Sequence, residues 1–286
     1  MAPRELAFTK MHGAGNDFVV LDGIAEPLPA LEPLARQLLD RRFGIGGDQL
    51  LVARPSTAAD FRMEIYNPDG SRAEMCANGI RAFYVWLHGH GHTRADEVRV
   101  ETLAGVVRPR GAGSGMVAVD MGRPVLAPEK IPTRLGAGGG EGPVLDVPLE
   151  VDGERLLVSS VSMGNPHCVV PVDDVERAPV ATLGPRIEHH PAFPNRVNVE
   201  FVEVVTRSRV RQRTWERGAG ETLACGSGAC AVAVTSILRG RTERELDVEL
   251  RGGTLHIAWP ADDAHVIMTG PAVEVFRGRI PLGEGV

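Results

Sequence analysis

Lysine is almost missing from this chain. Of its 31 basic residues only Lys10 and Lys130 are lysines, and the rest are arginines. Chemistry that runs through a lysine Schiff base therefore has two candidates at most. The four cysteines, Cys76, Cys168, Cys225 and Cys230, include no CxxC pair. Their spacing fits no zinc site, so no metal is expected. No apolar run approaches the roughly 18 residues of a membrane span. The start, Met1-Ala2-Pro3-Arg4-Glu5, is not followed by an apolar stretch of signal-peptide length. A cytoplasmic location with reduced thiols is the expectation. A net charge of −6 gives no reason to expect nucleic acid or an anionic membrane as partner.

What is present is an ordinary globular mixture, 43% hydrophobic and 24% charged over 286 residues. That length suits one large domain or two of roughly 140 residues. It also buries about three-quarters of the unfolded surface without disulfide staples.

Cys76 and Cys225 stand in copies of one motif, Cys76-Ala77-Asn78-Gly79-Ile80-Arg81-Ala82 and Cys225-Gly226-Ser227-Gly228-Ala229-Cys230-Ala231. The second copy lies 149 positions after the first. The same shift carries Gly15-Asn16 onto Gly164-Asn165, Gln49 onto Asn198, and Asn67 onto Glu216. The chain reads as one half written twice, with polar residues and a thiol in register.

Local patterns repeat in the same order. Strands are expected within Phe8 to Asp22, at Asp48 to Ala53, Phe61 to Tyr66, Val98 to Arg108 and Met116 to Met121. Helices are expected at Leu34 to Arg42 and at Asn78 to His88, the second closed by Gly89. The Gly- and Pro-rich stretch Gly122 to Pro143 is the candidate linker. Beyond it come strands at Leu156 to Ser162, Cys168 to Val172, Val197 to Val205 and Val210 to Glu216. Helices are expected near Leu183 to His189 and at Ser227 to Leu238, the latter stopped by Gly240. A last set of strands covers Leu246 to Arg279. The helix after Cys225 is apolar on every face, and the one after Cys76 nearly so; such helices are buried all round. The fold class expected is α/β of the α+β type: two pseudo-symmetric halves, each with strands wrapped around a buried central helix. A pair of α+β sandwiches with one covered helix each is the alternative.

Each of the two cysteines opens a buried helix beside small residues that let a ligand approach the backbone. Helix N-termini attract anions and lower thiol pKa values. Two such ends aimed at one ligand would grip a carboxylate and leave its α-carbon facing both sulfurs. A thiolate could then remove a proton from one face while a thiol donates to the other. Pyridoxal phosphate would need a lysine near these motifs; Lys10 and Lys130 lie away from them, so no cofactor is expected. Cys168 and Cys230 read as core. Asn16 and Asn165 suit either a ligand or a turn that tolerates left-handed geometry. Glu216-Arg217 suits a surface ion pair or an amino-acid head group. His167 suits a satisfied strand histidine or a base for the thiol. His88, His90 and His92 read as a solvated helix end.

Several stretches resemble the diaminopimelate epimerase family: His12-Gly13-Ala14-Gly15-Asn16-Asp17-Phe18, Gly46-Gly47-Asp48-Gln49, Tyr66-Asn67-Pro68-Asp69-Gly70-Ser71, Gly164-Asn165-Pro166-His167-Cys168 and Arg196-Val197-Asn198-Val199. The two cysteine motifs, and Arg213 to Thr222 before the second, extend the likeness over nearly the whole chain. The resemblance implies a cofactor-independent isomerase, converting LL-diaminopimelate to the meso form in lysine synthesis. It implies a site in the cleft between two halves, and a homodimer. By position, Cys76 and Cys225 would be the acid/base thiols, with His167 and Glu216 tuning them. Ala77, Asn78, Gly226 and Ser227 would hold the reacting carboxylate. Asn16, Gln49, Asn67, Asn165, Asn198, Glu216 and Arg217 would hold the rest. The family's last strand crosses back, which implies halves 1–123 with 271–286, and 124–270. One departure is visible: Ala77 stands where the family usually has Gly, which would matter only if positive φ were required. The alternatives are a proline or hydroxyproline racemase-like isomerase on the same fold, or a thiol-redox switch.

Overall fold

A computed structural model describes residues 5–136 and 142–282. The chain divides into two compact units, Met1–Val119 with Gly270–Val286, and Asp120–Thr269. The glycine- and proline-rich stretch expected as a linker belongs to the second unit, and part of it, 137–141, lies outside the described residues.

The first unit is built from β1 (Glu5–Gly13), β2 (Asn16–Asp22), α1 (Leu31–Leu39), β3 (Gln49–Arg54), β4 (Phe61–Tyr66), β5 (Arg72–Ala73), α2 (Ala77–Gly89), β6 (Val100–Thr102), β7 (Gly105–Val107), β8 (Arg110–Gly111) and β9 (Met116–Asp120). The second holds β10 (Val144–Val151), β11 (Glu154–Ser162), β12 (Pro166–Pro171), α3 (Val180–Glu188), β13 (Asn198–Thr206), β14 (Arg209–Glu216), β15 (Gly220–Thr222), α4 (Gly226–Leu238), β16 (Glu245–Leu250), β17 (Gly253–Ala258) and β18 (Ile267–Pro271). The final strand, β19 (Val273–Pro281), pairs antiparallel with β1 and so completes the first unit.

The first sheet runs β19-β1-β2-β3-β4-β6-β7, with β5 on β4. The second runs from β10 through β11, β12, β13, β14, β16 and β17 to β18, with β15 on β14. The 149-residue shift holds in the hydrogen-bonded registers. Phe18 lies opposite Gln49 in the parallel pair β2·β3, and His167 opposite Asn198 in β12·β13. Leu51 faces Ile65 in β3·β4, and Glu200 faces Thr214 in β13·β14.

Alternation along the strands divides each sheet into two faces. In the first unit Val19, Leu21, Leu50 and Val52 pack with Leu31, Leu34 and Leu38 of α1. In the second Cys168, Val170, Val199 and Phe201 pack with Val180, Leu183 and Ile187 of α3. The opposite faces turn to α2 and α4. Helix α4 touches β11, β12, β13, β14, β16 and β17, and all but two of its 13 residues are buried. Helix α2 touches β1, β2, β3 and β19. The helix that is apolar all round is thus the helix with strands on every side. The expected core cysteines Cys168 and Cys230 are fully buried.

Two local expectations change. Helix α2 runs through Gly89 to a cap at His90, and the left-handed residue beyond it is Gly91 (φ 75°). The histidines at this end are half-buried and not freely solvated. Trp86 stacks on the rings of His90 and His92 at 4.6 and 5.1 Å, and His92 meets Asp22 at 3.0 Å.

Candidate active site

Each cysteine is the N-cap of its helix. Cys76 is extended (φ −140°, ψ 113°), and its sulfur accepts from the N–H of Gly79 at 3.3 Å. Cys225 repeats this (φ −120°, ψ 109°), accepting from Gly228 N–H at 3.4 Å. Ala77 and Gly226 are the first helical residues, and Ala77 has no positive φ. The methyl group that departs from the family pattern therefore costs no backbone strain. Ala77, Asn78, Gly226 and Ser227 lie in the first turns, where backbone N–H groups have no intrahelical acceptor.

At the Cys76 end the sulfur lies 3.6 Å from Asn16 Oδ1, and Asn78 Nδ2 donates to the same oxygen at 3.3 Å. Asn16 Nδ2 donates to Asp48 Oδ2 at 2.7 Å, which fixes which way the amide faces. Asp48 shares Arg41 with Asp17, and Asp17 also holds Lys10 at 2.6 Å. Partial burial works to raise the Asp17 carboxyl, but Arg41 and Lys10 outweigh it and hold it well below the usual carboxylate range. Lys10 also donates to the Gly46 carbonyl, so this lysine is committed to structure. The left-handed residues of the paired turns are Ala14 (φ 52°) and Gly15 (φ 85°) in the first and Gly164 (φ 93°) in the second, so Asn16 and Asn165 are not there for backbone geometry. Gln49 Nε2 donates to Asn67 Oδ1 at 3.1 Å.

At the Cys225 end the sulfur lies 3.6 Å from Ser227 Oγ. Burial pushes the thiol well above its usual range, and the nearby carboxylates of Glu216 and Glu200 push the same way. The Thr222 hydroxyl donates to Glu216. Asn165 Oδ1 lies 3.0 Å from His167 Nε2. Asn198 bridges backbone groups, donating to Pro166 O at 3.0 Å and accepting from Arg217 N–H at 2.9 Å. The Arg217 side chain is exposed and donates to Asn195 O at 3.1 Å.

In the first unit Asn16 meets the Cys76 sulfur, Asn78 meets Asn16, Ala77 follows Cys76 as the first helical residue, and Gln49 pairs with Asn67. In the second, Ser227 and the Glu216 carboxylate lie near the Cys225 sulfur, Gly226 is the first helical residue, Asn165 meets His167, and Asn198 meets the Arg217 backbone while the Arg217 side chain bonds Asn195. Sequence reasoning passed over Asp48, the anchor of Asn16, and Glu200, whose carboxylate lies 2.8 Å from His167 Nδ1 with both side chains fully buried. Asp48 sat inside a recognised motif. Glu200 gave no signal, since a glutamate in the alternating run Val199-Glu200-Phe201-Val202-Glu203 reads as solvent-facing.

The model of the family described as diaminopimelate epimerase matches residues 8–127 and 159–275. The chain is 54% identical over 280 residues to the diaminopimelate epimerase of Moorella thermoacetica, covering 96% of this chain and 99% of that one. It is 50% identical to that of Aromatoleum aromaticum, covering 97% and 99%. Among solved structures, the phenazine biosynthesis protein of the PhzF family from Bacillus anthracis superposes with a TM-score of 0.70 at 15% identity, covering 98% and 100%. The probable proline racemase of Agrobacterium radiobacter K84 does so with 0.70 at 18%, covering 98% and 94%; these two share the fold. The matched segments contain both cysteine helix ends and every paired polar residue described above, and the chain belongs to the diaminopimelate epimerase family.

Proposed function

We infer that this chain is a cofactor-independent isomerase that interconverts LL- and meso-diaminopimelate, a step of lysine synthesis. The observation that carries the reading is the matched pair of cysteine N-caps, in a chain that belongs to this family over both halves. Both thiols act on one α-carbon. One, as thiolate, takes the α-proton; the electron pair stays on carbon; the other thiol delivers its proton to the opposite face. One S–H bond forms and another breaks, so no proton is gained or lost.

The α-proton is far less acidic than a thiol, so the carbanion needs preorganised stabilisation. The first-turn N–H groups of α2 and α4 at Ala77, Asn78, Gly226 and Ser227 supply it at the carboxylate. Asn16, Gln49, Asn67, Asn165, Asn198, Glu216 and Arg217 bind the remaining polar groups. His167 and Glu216 set the protonation of the thiols. Arg217 and Glu216, opposite Pro68 and Asn67 in the repeat, give the ligand one end that reacts and one that is held. A homodimer in the cytoplasm completes the reading; no helix among the described residues is long and apolar enough to cross a membrane.

The test is incubation of purified chain with LL-diaminopimelate, without added cofactor, followed by chiral separation. Meso product supports the reading. No product, with proline inverted instead, would replace it by the racemase alternative.

A further inference from the structure

The ground under the two thiols differs at four matched positions. In the first unit these are Phe18, Leu51, Met63 and Ile65. In the second, 149 positions on, they are His167, Glu200, Gln212 and Thr214. All eight are 0–2% exposed, so solvent does not explain the polar set. A buried carboxylate costs several kcal/mol unless it is matched. Here one oxygen meets His167, while Glu200 Oε2 and Gln212 Oε1 have no hydrogen-bond partner among the described residues.

The glycines of the first turns locate this ground. A Cβ at Gly79 would meet Cys76 Sγ and Leu51 Cδ2, each at 3.3 Å. A Cβ at Gly228 would meet Glu200 Oε1 at 2.7 Å, Gln212 Nε2 at 3.0 Å and Cys225 Sγ at 3.2 Å. One spot beneath each helix start thus holds a leucine in one half and a carboxylate in the other.

We propose that Glu200 is a positioning residue that makes the two thiols unequal: it fixes the His167 ring through Nδ1, and its carboxylate beneath the α4 end favours the protonated form of Cys225 in the free chain, at a place that Leu51 holds beneath Cys76. The proposal rests on the two-thiol reading of the reaction. The groups facing Glu200 and Cys225 are His167 and Cys168 on β12, Gln212 and Thr214 on β14, and Glu216 at the end of β14. Burial first, then Glu200, pushes the Cys168 thiol up; at Cys225 burial is followed by Glu216 and then by Glu200. Burial likewise raises the Glu200 carboxyl, with His167 opposing.

The experiment follows alkylation of each cysteine by iodoacetamide against pH, by peptide mass spectrometry, in the full chain and two variants. Glu200→Gln keeps the shape and removes the charge; Glu200→Asp keeps the charge. Comparing each cysteine with itself cancels its accessibility. In Glu200→Gln the Cys225 curve should move to lower pH by about half a unit or more, with the Cys76 curve unchanged. In Glu200→Asp both curves should stay near wild type. In parallel, kcat for Glu200→Gln should fall at least about tenfold with KM within about twofold. A Cys225 curve that stays put or moves up in Glu200→Gln, an equal move at Cys76, or the same move in both variants would overturn the proposal. The alkylation result stands even if wild type fails to epimerise, so the two readings fail separately.

Discussion

Cys76 and Cys225 both cap a helix by accepting from the N–H three residues on, yet Leu51 lies under one and Glu200 under the other. The turns that carry Asn16 and Asn165 differ in the same manner. The first is braced by charge, through Asp17, Lys10, Arg41 and Asp48. The second has Pro166 in place of Asp17, and its backbone is held by Asn198. Repetition kept the two thiols, the turn asparagines Asn16 and Asn165 and the helix starts, while the layer beneath them diverged. A single conserved geometry can thus present two thiols of different character, which a reaction with one base and one acid needs.

The largest expected effect tests whether both copies act. Cys76→Ser and Cys225→Ser should each lower epimerisation by about a thousandfold or more, because a serine hydroxyl is a poor base at neutral pH. Near-normal turnover in either variant would leave one copy ornamental. Next, Arg217→Ala probes the side on which the halves differ most, arginine against Pro68. Loss of a charged partner for a bound carboxylate should weaken substrate binding by roughly 2–5 kcal/mol, read as a raised KM; an unchanged KM removes Arg217 from the site.

Gly79→Ala and Gly228→Ala compare the ground directly. Helix propensity favours alanine by up to about 1 kcal/mol at both. The new methyl at 228 meets a carboxylate oxygen at 2.7 Å, whereas that at 79 meets a leucine methyl at 3.3 Å. Gly228→Ala should therefore lose about 1–3 kcal/mol of stability, measured by chemical denaturation, and Gly79→Ala markedly less. Equal losses would mean that Glu200 yields as easily as Leu51.

The smallest effect concerns the charged brace. The folded Asp17 carboxyl is held low, so its stabilising contribution is present above the unfolded carboxylate value and fades as pH falls through the lower folded one. Asp17→Asn should cost about 1–2 kcal/mol at neutral pH. The gap from wild type should narrow as denaturation is repeated at progressively lower pH below the ordinary carboxylate range. A gap that widens on acidification would reverse the sign of the argument.

Much of this arrangement was legible in the sequence. The 149-residue shift gave the order of elements, both helix starts and the polar residues beside them, because a thiol and a glycine-containing turn at one spacing leave few other readings. Strand β10 was missed: Val144-Leu145-Asp146-Val147-Pro148-Leu149-Glu150-Val151 has a proline at its centre, which a strand tolerates only at a sheet edge, where β10 lies. Glu200 was illegible for a different reason. Its pattern is that of an exposed strand residue, and its burial depends on α4, which begins 26 positions later and packs on β13. Gly91 took the stop assigned to Gly89 because histidines continue the last turn of α2 through contacts with Trp86 that no local pattern announces.

The most direct measurement is proton NMR of LL-diaminopimelate with the purified chain in deuterated water, with no cofactor added. The two-thiol reaction predicts meso product carrying deuterium at the single inverted α-carbon, because the donating thiol exchanges with solvent. Product that retains protium there, or a reaction that starts only when pyridoxal phosphate is supplied, would contradict it.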